Sequence, residues 1–277
     1  VYTNNKPIMD AIKEKGILIA AHRGTCGANV VQNTCLAYKN SLLHGADMIE
    51  VDAFKTTDGI FYAFHNGEEN LEFGFNGDIR TMSSEEVEQL RTLNSLRRLC
   101  IQRLERLEHV LETFRGKCLI NIDRTWFYWK EIIELLDKMN MNDQILLKSA
   151  ADETLLKELE EADTGIMYMP IMYKPEELEI VKKYNINVAA AELIIPDLDC
   201  ALLRPEFMGE LKKAGIPAWV NAITLTDDSI LSGGLDDNKA IRDGFEESWG
   251  RLVDMGFEII QTDWPALVKN FRDQRGL

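Results

Sequence analysis

The sequence is short of basic residues, short of proline and without any long apolar run. Its 31 Lys and Arg stand against 46 Asp and Glu, a formal charge of −15. Nowhere do the cations cluster, which excludes a nucleic-acid or anionic-membrane face built on grouped Lys and Arg. A phosphate-bearing ligand would therefore need a local cation, either a few placed basic side chains or a metal. No stretch of about 18 apolar residues occurs, so no stable membrane insertion is expected. The five cysteines (Cys26, Cys35, Cys100, Cys118 and Cys200) are odd in number and lack CxxC spacing. They point to neither a structural zinc module nor a dense disulfide framework, and read as buried apolar thiols with room for one disulfide. No GxGxxG or GxxxxGK[ST] fingerprint follows a strand-like run, which weakens a nucleotide-binding reading. Seven prolines and 45% apolar residues in 277 exclude a disordered chain and leave a core for one large α/β domain. The chain begins at Val1 rather than Met. That start raises the expectation of a removed leader or of trimming, and with the acidity, of export.

What is present is a rhythm. Short β-rich runs lie at 17–22 (ILIAAH), 48–53 (MIEVDA), 118–123 (CLINID), 144–149 (QILLKS), 164–170 (TGIMYMP), 187–193 (NVAAAEL), 217–222 (PAWVNA) and 258–263 (EIIQTD). Between them lie helix-spaced segments such as NTCLAYKNSLLHG and YWKEIIELLDKMN, several ending at Gly or Asn as helix C-termini do. Eight β-then-α units predict an α/β fold of the (β/α)8 TIM-barrel type as a single 1–277 domain, with a doubly wound open sheet as the alternative.

One interval breaks the rhythm. About fifty residues separate the second strand from the helix near 105–115, far more than an ordinary βα connection. Asp58-Gly59, flanked by strand-like residues, signals a hairpin. Folding the chain back there pairs residues whose numbers sum to about 117 and brings His65 opposite Asp52. Ser83 or Ser84 ahead of Glu85 and Glu86 reads as a capped helix start. Residues 66–100 are thus expected to form a small insertion over the active end.

The chemistry-bearing residues collect at the C-terminal ends of the strands, where barrels of this kind place their sites. His22 and Arg23 end the first strand. Glu50 and Asp52 end the second, and strand alternation turns both to one side while Ile49 and Val51 face the helices. Asp123 brings a third carboxylate to the rim. Like charges buried together need a cation, and three oxygen ligands without clustered Cys or His suit Ca2+ or Mg2+. His44 and His109 fall in helical segments and read as surface or helix-end residues. His22 and His65 converge on the carboxylates, and with an ordinary pKa of about 6.5 they suit proton transfer, one as base and one as acid.

The motifs HRG at 22–24, QNT at 32–34, EVD at 50–52, TTDG at 56–59 and His65 resemble those of the glycerophosphodiester phosphodiesterases. RLEHVLE at 106–112, AWVN at 218–221 and QTDWP at 261–265 are similar to later family segments, so the likeness spans nearly the whole chain. The resemblance implies a metal-dependent hydrolase of small-molecule glycerophosphodiesters, giving an alcohol and a phosphomonoester such as glycerol 3-phosphate. It implies His22 and His65 as the acid/base pair and Glu50, Asp52 and Asp123 as metal ligands. Arg23 is the implied phosphate contact, and Asn33, Lys148 and Trp219 are further candidate substrate contacts. Lys148 reads equally as a rim salt bridge, and Trp219 equally as barrel packing.

Three positions depart from the family pattern. Gln32 stands where Glu is usual and Asn66 where Asp follows the second His, while Asp123-Arg124-Thr125 replaces an E-x-K setting. Glu192 and Asn221 end later strands, and the run Trp126, Phe127, Tyr128 and Trp129 offers an apolar wall, although helix packing accounts for at least two of these aromatics. The acidic DDNK at 236–239 reads as a solvated face. The alternatives are another metal-dependent barrel enzyme, such as a sugar isomerase, and a barrel that binds a glycerophospho-ligand without turning it over. Head group, choice of metal and oligomeric state are not read from the residues.

Overall fold

In the computed structural model, which describes residues 1–226 and 228–277, all eight apolar runs become strands. They are β1 (Leu18–Ala21), β2 (Met48–Lys55), β4 (Leu119–Asp123), β5 (Ile145–Ala150), β6 (Met167–Met172), β7 (Ala191–Leu193), β8 (Ala218–Asn221) and β9 (Phe257–Thr262), with the hairpin strand β3 (Phe61–Ala63) after β2. β1 pairs in parallel with both β2 and β9, and the other barrel strands follow in sequence, so the sheet closes on itself as a (β/α)8 barrel. Closure between an inner and an outer core is why these strands are nearly continuous apolar runs.

Alternation sorts their side chains. Ile19, Ile49, Val51, Ile122 and Leu147 pack outward under the helices, while Leu18, Met48, Leu146, Met169, Trp219 and Ile259 fill the barrel interior. Ile8 and Ile12 join that inner cluster from helix α1 (Lys6–Lys15), which plugs the end opposite the site. The outer helices are α2 (Cys35–Leu43), α5 (Leu107–Phe114), α6 (Trp129–Met139), α7 (Glu153–Glu161), α8 (Glu176–Val181), α9 (Pro205–Ala214), α10 (Asp237–Asp243), α11 (Arg251–Asp254) and α12 (Pro265–Arg275), with α3 (Glu69–Phe73) and α4 (Ser84–Gln89) inside the excursion after β3. Among the described residues, no helix is long and apolar enough to cross a membrane.

Two strands begin later than their composition suggests. β6 starts at Met167, after the turn at Ala162 and Asp163, and residues 187–190 make only isolated bridges, from Asn187 to Tyr2 and from Val188 to Tyr168, with Ala189 N–H donating to Tyr168 O at 2.8 Å. The hairpin forms at Asp58-Gly59 with its register shifted by one from the expected sum: Ala53 pairs with Ala63, Phe54 with Tyr62, Lys55 with Phe61. A three-residue loop accounts for the shift, with the Thr56 N–H donating to Ile60 O at 2.9 Å and Gly59 at φ +87°. Asp52 consequently faces Phe64, whose N–H donates to Asp52 O at 3.0 Å, and His65 lies one residue beyond the ladder.

The excursion carries a core of its own, in which Phe54, Tyr62 and Phe64 pack with Ile79 and Val87. Helix α4 starts with the expected capping box, Ser83 with Glu86. The return segment pairs with the hairpin as far as Arg106, with Ala63 N–H donating to Glu105 O at 2.9 Å. The expected 66–100 segment lies within this 61–106 excursion.

At the end of the barrel away from the site, Arg272 Nη1 of α12 donates to Asp47 Oδ2 at 2.6 Å and to Ile17 O at 2.9 Å, and Ile19 N–H donates to the same carboxylate. Lys15 Nζ holds the other oxygen at 2.6 Å but is 37% exposed along its side chain. Arg272→Met is expected to cost about 3 kcal/mol by leaving a buried carboxylate half-compensated, and Lys15→Ala less than about 1 kcal/mol, both measured by urea unfolding. Equal losses would show that Arg272 is not the main closure.

Candidate active site

The turn after β1 sets the first part of the site. Gly24 has φ +78°, and a Cβ there would sit 2.8 Å from the backbone carbon of Ala37, so only glycine lets the β1–α2 turn lie against α2. Arg23 just before it also takes a positive φ, +53°. This turn aims the Arg23 N–H at Glu50 Oε2, 2.9 Å away, and sends the guanidinium between Asp52 and Glu68. The Nε to Asp52 Oδ2 separation is 2.9 Å, an ion pair whose N–H is not aligned as a hydrogen bond, whereas Nη1 donates to Glu68 Oε1 at 2.6 Å. Gln32 Nε2 donates to the other oxygen of Glu68 at 2.5 Å.

Glu50 and Asp52 are each 1% exposed, and Asp123 stands beside Asp52 across the β2–β4 register. One oxygen from each of the three lies within 4.8 Å of the others. Burial, followed by the charge of Asp52, pushes the Glu50 carboxyl up to about 8. Burial pushes Asp52 the same way, but Arg23, His65 and the Asn33 hydrogen bond overcome it and leave the group below the ordinary carboxylate value. The result is a pocket of carboxylate oxygens with unmet negative charge, a donor set that fits a hard divalent cation.

Lys148 is 3% exposed and places Nζ 3.0 Å from Asp123 Oδ2 and 3.1 Å from Glu192 Oε2. Burial opposes its charge, yet Asp123 and Glu192 prevail and hold the ammonium above its ordinary value. From Glu192 the chain of bonds runs to Asn221 Nδ2 at 2.8 Å and from Asn221 Oδ1 to the Trp219 indole N–H at 2.7 Å. Trp219 is therefore a core residue, 0% exposed and below the mouth, not part of its wall. Asn33, 2% exposed, donates to Asp52 Oδ2 at 3.0 Å and accepts from Asp52 N–H and the Tyr38 hydroxyl. It clamps a carboxylate, with one amide hydrogen left over.

The two histidines sit in opposite settings. His22 Nδ1 is 2.8 Å from Asp263 Oδ1, just past β9. Burial would lower the His22 pKa, but the Asp263 hydrogen bond and the Glu50 charge outweigh it and raise the value above 6.5. Burial lowers His65, and the charges of Arg23 and Arg124 carry it further down against the pull of Asp52. Arg124, at φ +64°, brings Nη1 to 3.1 Å from His65 Nε2 while its Nε donates to Asn66 Oδ1 at 2.9 Å. A guanidinium only donates, so Nε2 accepts and the His65 proton belongs on Nδ1, which is buried without a partner. Asn66, which departs from the family pattern, is thus joined through Arg124 to His65.

Asp263, in the QTDWP segment, stands at a strand end like the other site residues, and its partner His22 gives it a role that the motif alone does not. Behind it, Asp237 is 2% exposed and accepts from Thr262 Oγ1, Trp249 Nε1 and the Asp263 N–H, and burial pushes its carboxyl up to about 7. The DDNK run is accordingly not a solvated face throughout: Asp236 caps α10 and Asp237 turns inward to fix the Asp263 backbone. Glu68 carried no signal, since its role exists only through contacts with Arg23 and Gln32. Of the four aromatics after Asp123, Trp129 is core and Tyr128 packs on Phe61 under Lys55, which leaves Trp126 and Phe127. His44 caps the end of α2, and His109 is exposed on α5.

Comparisons with known proteins bear on the fold and the kind of enzyme. The chain is similar to the lysophospholipase D GDPD3 of Mus musculus, 37% identical over 26% of this chain and 21% of that protein. It is also similar to a glycerophosphodiester phosphodiesterase of Bacillus altitudinis, 26% identical over 62% of this chain and 76% of that protein. Residues 168–271 match a family described only as a domain of unknown function. In fold it resembles a glycerophosphoryl diester phosphodiesterase from Parabacteroides distasonis, with TM-score 0.75 at 17% identity over 99% of this chain and 94% of the other. A phosphodiesterase of Oleispira antarctica, solved with sn-glycerol-3-phosphate as its product, gives 0.65 at 16% identity over 92% and 96%. The likeness read from the motifs therefore extends to the barrel, and its relatives in structure are phosphodiesterases of this kind.

Removing the Asp263 charge while keeping its shape isolates the effect on His22. In Asp263→Asn the His22 pKa, followed by NMR titration of the imidazole, is expected to fall and that of His65 to stay put. An unmoved His22 would rule out Asp263 as the source of its raised value.

Proposed function

We propose that this chain hydrolyses glycerophosphodiesters to glycerol 3-phosphate and the head-group alcohol, with His22 and His65 as its proton-transfer pair. The observation that carries this reading is that two imidazoles flank one carboxylate cluster at the barrel mouth, one bonded to a carboxylate and the other to a guanidinium. A mouth built to hold one proton and to accept another suits displacement at phosphorus, in which a water oxygen bonds to phosphorus as the bond to the alcohol oxygen breaks.

Each side chain has a part in that exchange. His22, fixed through Nδ1 on Asp263, keeps a proton on Nε2 and passes it to the departing alkoxide. His65, held neutral, takes the proton of the attacking water. In the free protein its Nε2 lone pair faces Arg124; a phosphate at the rim competes for that guanidinium, and its shift to the phosphate frees the lone pair. Arg23 supplies further positive charge, and Lys148 balances Asp123 and Glu192. A divalent cation held by Glu50, Asp52 and Asp123, Ca2+ or Mg2+ by its all-oxygen donor set, would supply Lewis-acid polarisation of a phosphate oxygen. The product named for the Oleispira antarctica enzyme supports glycerol 3-phosphate as one half of the substrate.

Glycerophosphocholine, glycerophosphoinositol and a chromogenic phosphodiester, assayed with and without EDTA, test the reading. Activity on at least one is expected, lost in chelator and reduced about 10²–10⁴-fold in kcat by His22→Ala or His65→Ala. Full activity in EDTA or in either variant refutes the mechanism, and inactivity on all three favours a barrel that binds its ligand without turnover.

The pH profile offers a second check. The acid limb of kcat/KM should lie below the ordinary imidazole value of about 6.5 and the alkaline limb above it. Because Arg124 lowers His65, Arg124→Gln should move the acid limb upward and leave the alkaline limb in place. A profile that moves at the alkaline end reverses the two assignments.

A further inference from the structure

On the outer helical layer, away from the mouth, three unlike donors meet. Cys35 opens α2, Glu105 ends the return segment that pairs with β3, and His109 lies in the first turn of α5. One atom from each, the Cys35 sulfur, a Glu105 oxygen and a His109 ring nitrogen, lies within 4.8 Å of the other two. The Glu105 carboxylate is already steered into place, because Cys35 N–H donates to its Oε2 at 3.0 Å.

The donor set decides which ion belongs here. Oxygen alone, as at the mouth, suits a hard cation, whereas one sulfur, one imidazole nitrogen and one carboxylate suit zinc and are poor for Ca2+ or Mg2+. Bond lengths of about 2.0–2.3 Å give a tetrahedral zinc shell edges of about 3.3–3.8 Å, within reach of small side-chain rotations from the observed spacing. Burial and the neighbouring Glu105 carboxylate push the Cys35 thiol up to about 12, so the free thiol keeps its proton and binding of the ion must displace it. Burial of Cys35, 6% exposed, excludes water from the sulfur side, while His109 is exposed and opens an entry path.

We propose that Cys35, Glu105 and His109 form a zinc site, with water as the fourth ligand, separate from the carboxylate cluster at the mouth. The site would tie α2 to the return segment. The chain leading into α2 carries Asn33, which clamps Asp52, and the β3 strand that Glu105 pairs with leads directly to His65. Zinc here therefore braces two supports of the mouth from outside, without touching substrate.

The test uses the whole protein, kept in Mg2+, then exposed to Zn2+ or Co2+ and dialysed. One equivalent of zinc by mass spectrometry is expected to remain and to raise Tm. Co2+ should give a thiolate-to-cobalt charge-transfer absorption that a carboxylate cluster does not produce. His109→Gln, a surface change that leaves the core intact, should weaken zinc binding at least tenfold and abolish the band, as should Cys35→Ser. Asp123→Asn and Cys26→Ser, the latter removing an exposed thiol, should keep both signals. Zinc that is lost in Asp123→Asn but retained in His109→Gln, or cobalt bound without the thiolate band, overturns the proposal.

Discussion

Glu50 and Asp52 project from one strand into the same buried space, two residues apart, with Asp123 at the next register position. Repulsion between them, in a setting that water scarcely reaches, is the constraint around which the mouth is arranged. Arg23 answers Asp52, Lys148 answers Asp123, and the two imidazoles take positions whose charge state follows from the same field. Without counter-charges such a group of carboxylates would take up protons instead of remaining ionised, and burial followed by the charge of Asp52 raises Glu50 despite His22 and Lys148 nearby. Three carboxylate oxygens within 4.8 Å of one another are what make a bound cation chemically reasonable here.

Supports of the cluster come from far apart in the chain. Lys148 links β4 to β7 through Asp123 and Glu192, and Asn221 and Trp219 continue the line into β8. On the other flank Asn33 reaches from before α2 to Asp52, and Gln32 and Arg23 share Glu68. Gln32 and Asn66 each lack the charge usual in the resembling family, and each is used as a neutral bridge: one to a carboxylate that Arg23 already holds, the other to Arg124. The departures do not empty the site; they replace direct charges by hydrogen-bonded ones.

Much of this was legible in the residues. The barrel could be counted because a strand covered on both sides must be apolar along its length, and the placement of Glu50, Asp52 and Asp123 follows from strand alternation. The Asp58-Gly59 turn announced the hairpin, but its register depends on whether two or three residues form the loop, and the dipeptide alone does not distinguish them. Asp237 misled because four polar residues in a row resemble a surface loop, and only the packing against β9 turns one of them inward. The Arg124 contact with His65 and Asn66 crosses 59 and 58 positions and leaves no local pattern. Glu105 and His109 stand only four positions apart, but the approach of Cys35 to them crosses 70 positions and was hidden for the same reason.

The pairing of His22 with Asp263 spans 241 positions, and it sits at the seam where β1 meets β9. Contacts of such sequence separation form late, because the loop they close is long and the entropy of closing it must be overcome first. A chain emerging from the ribosome can therefore build most of its hydrophobic layers while the first histidine still lacks its carboxylate partner. Under the proposed roles, proton-transfer competence would then arrive only with closure of the seam, and molecules lacking β9 would not have it.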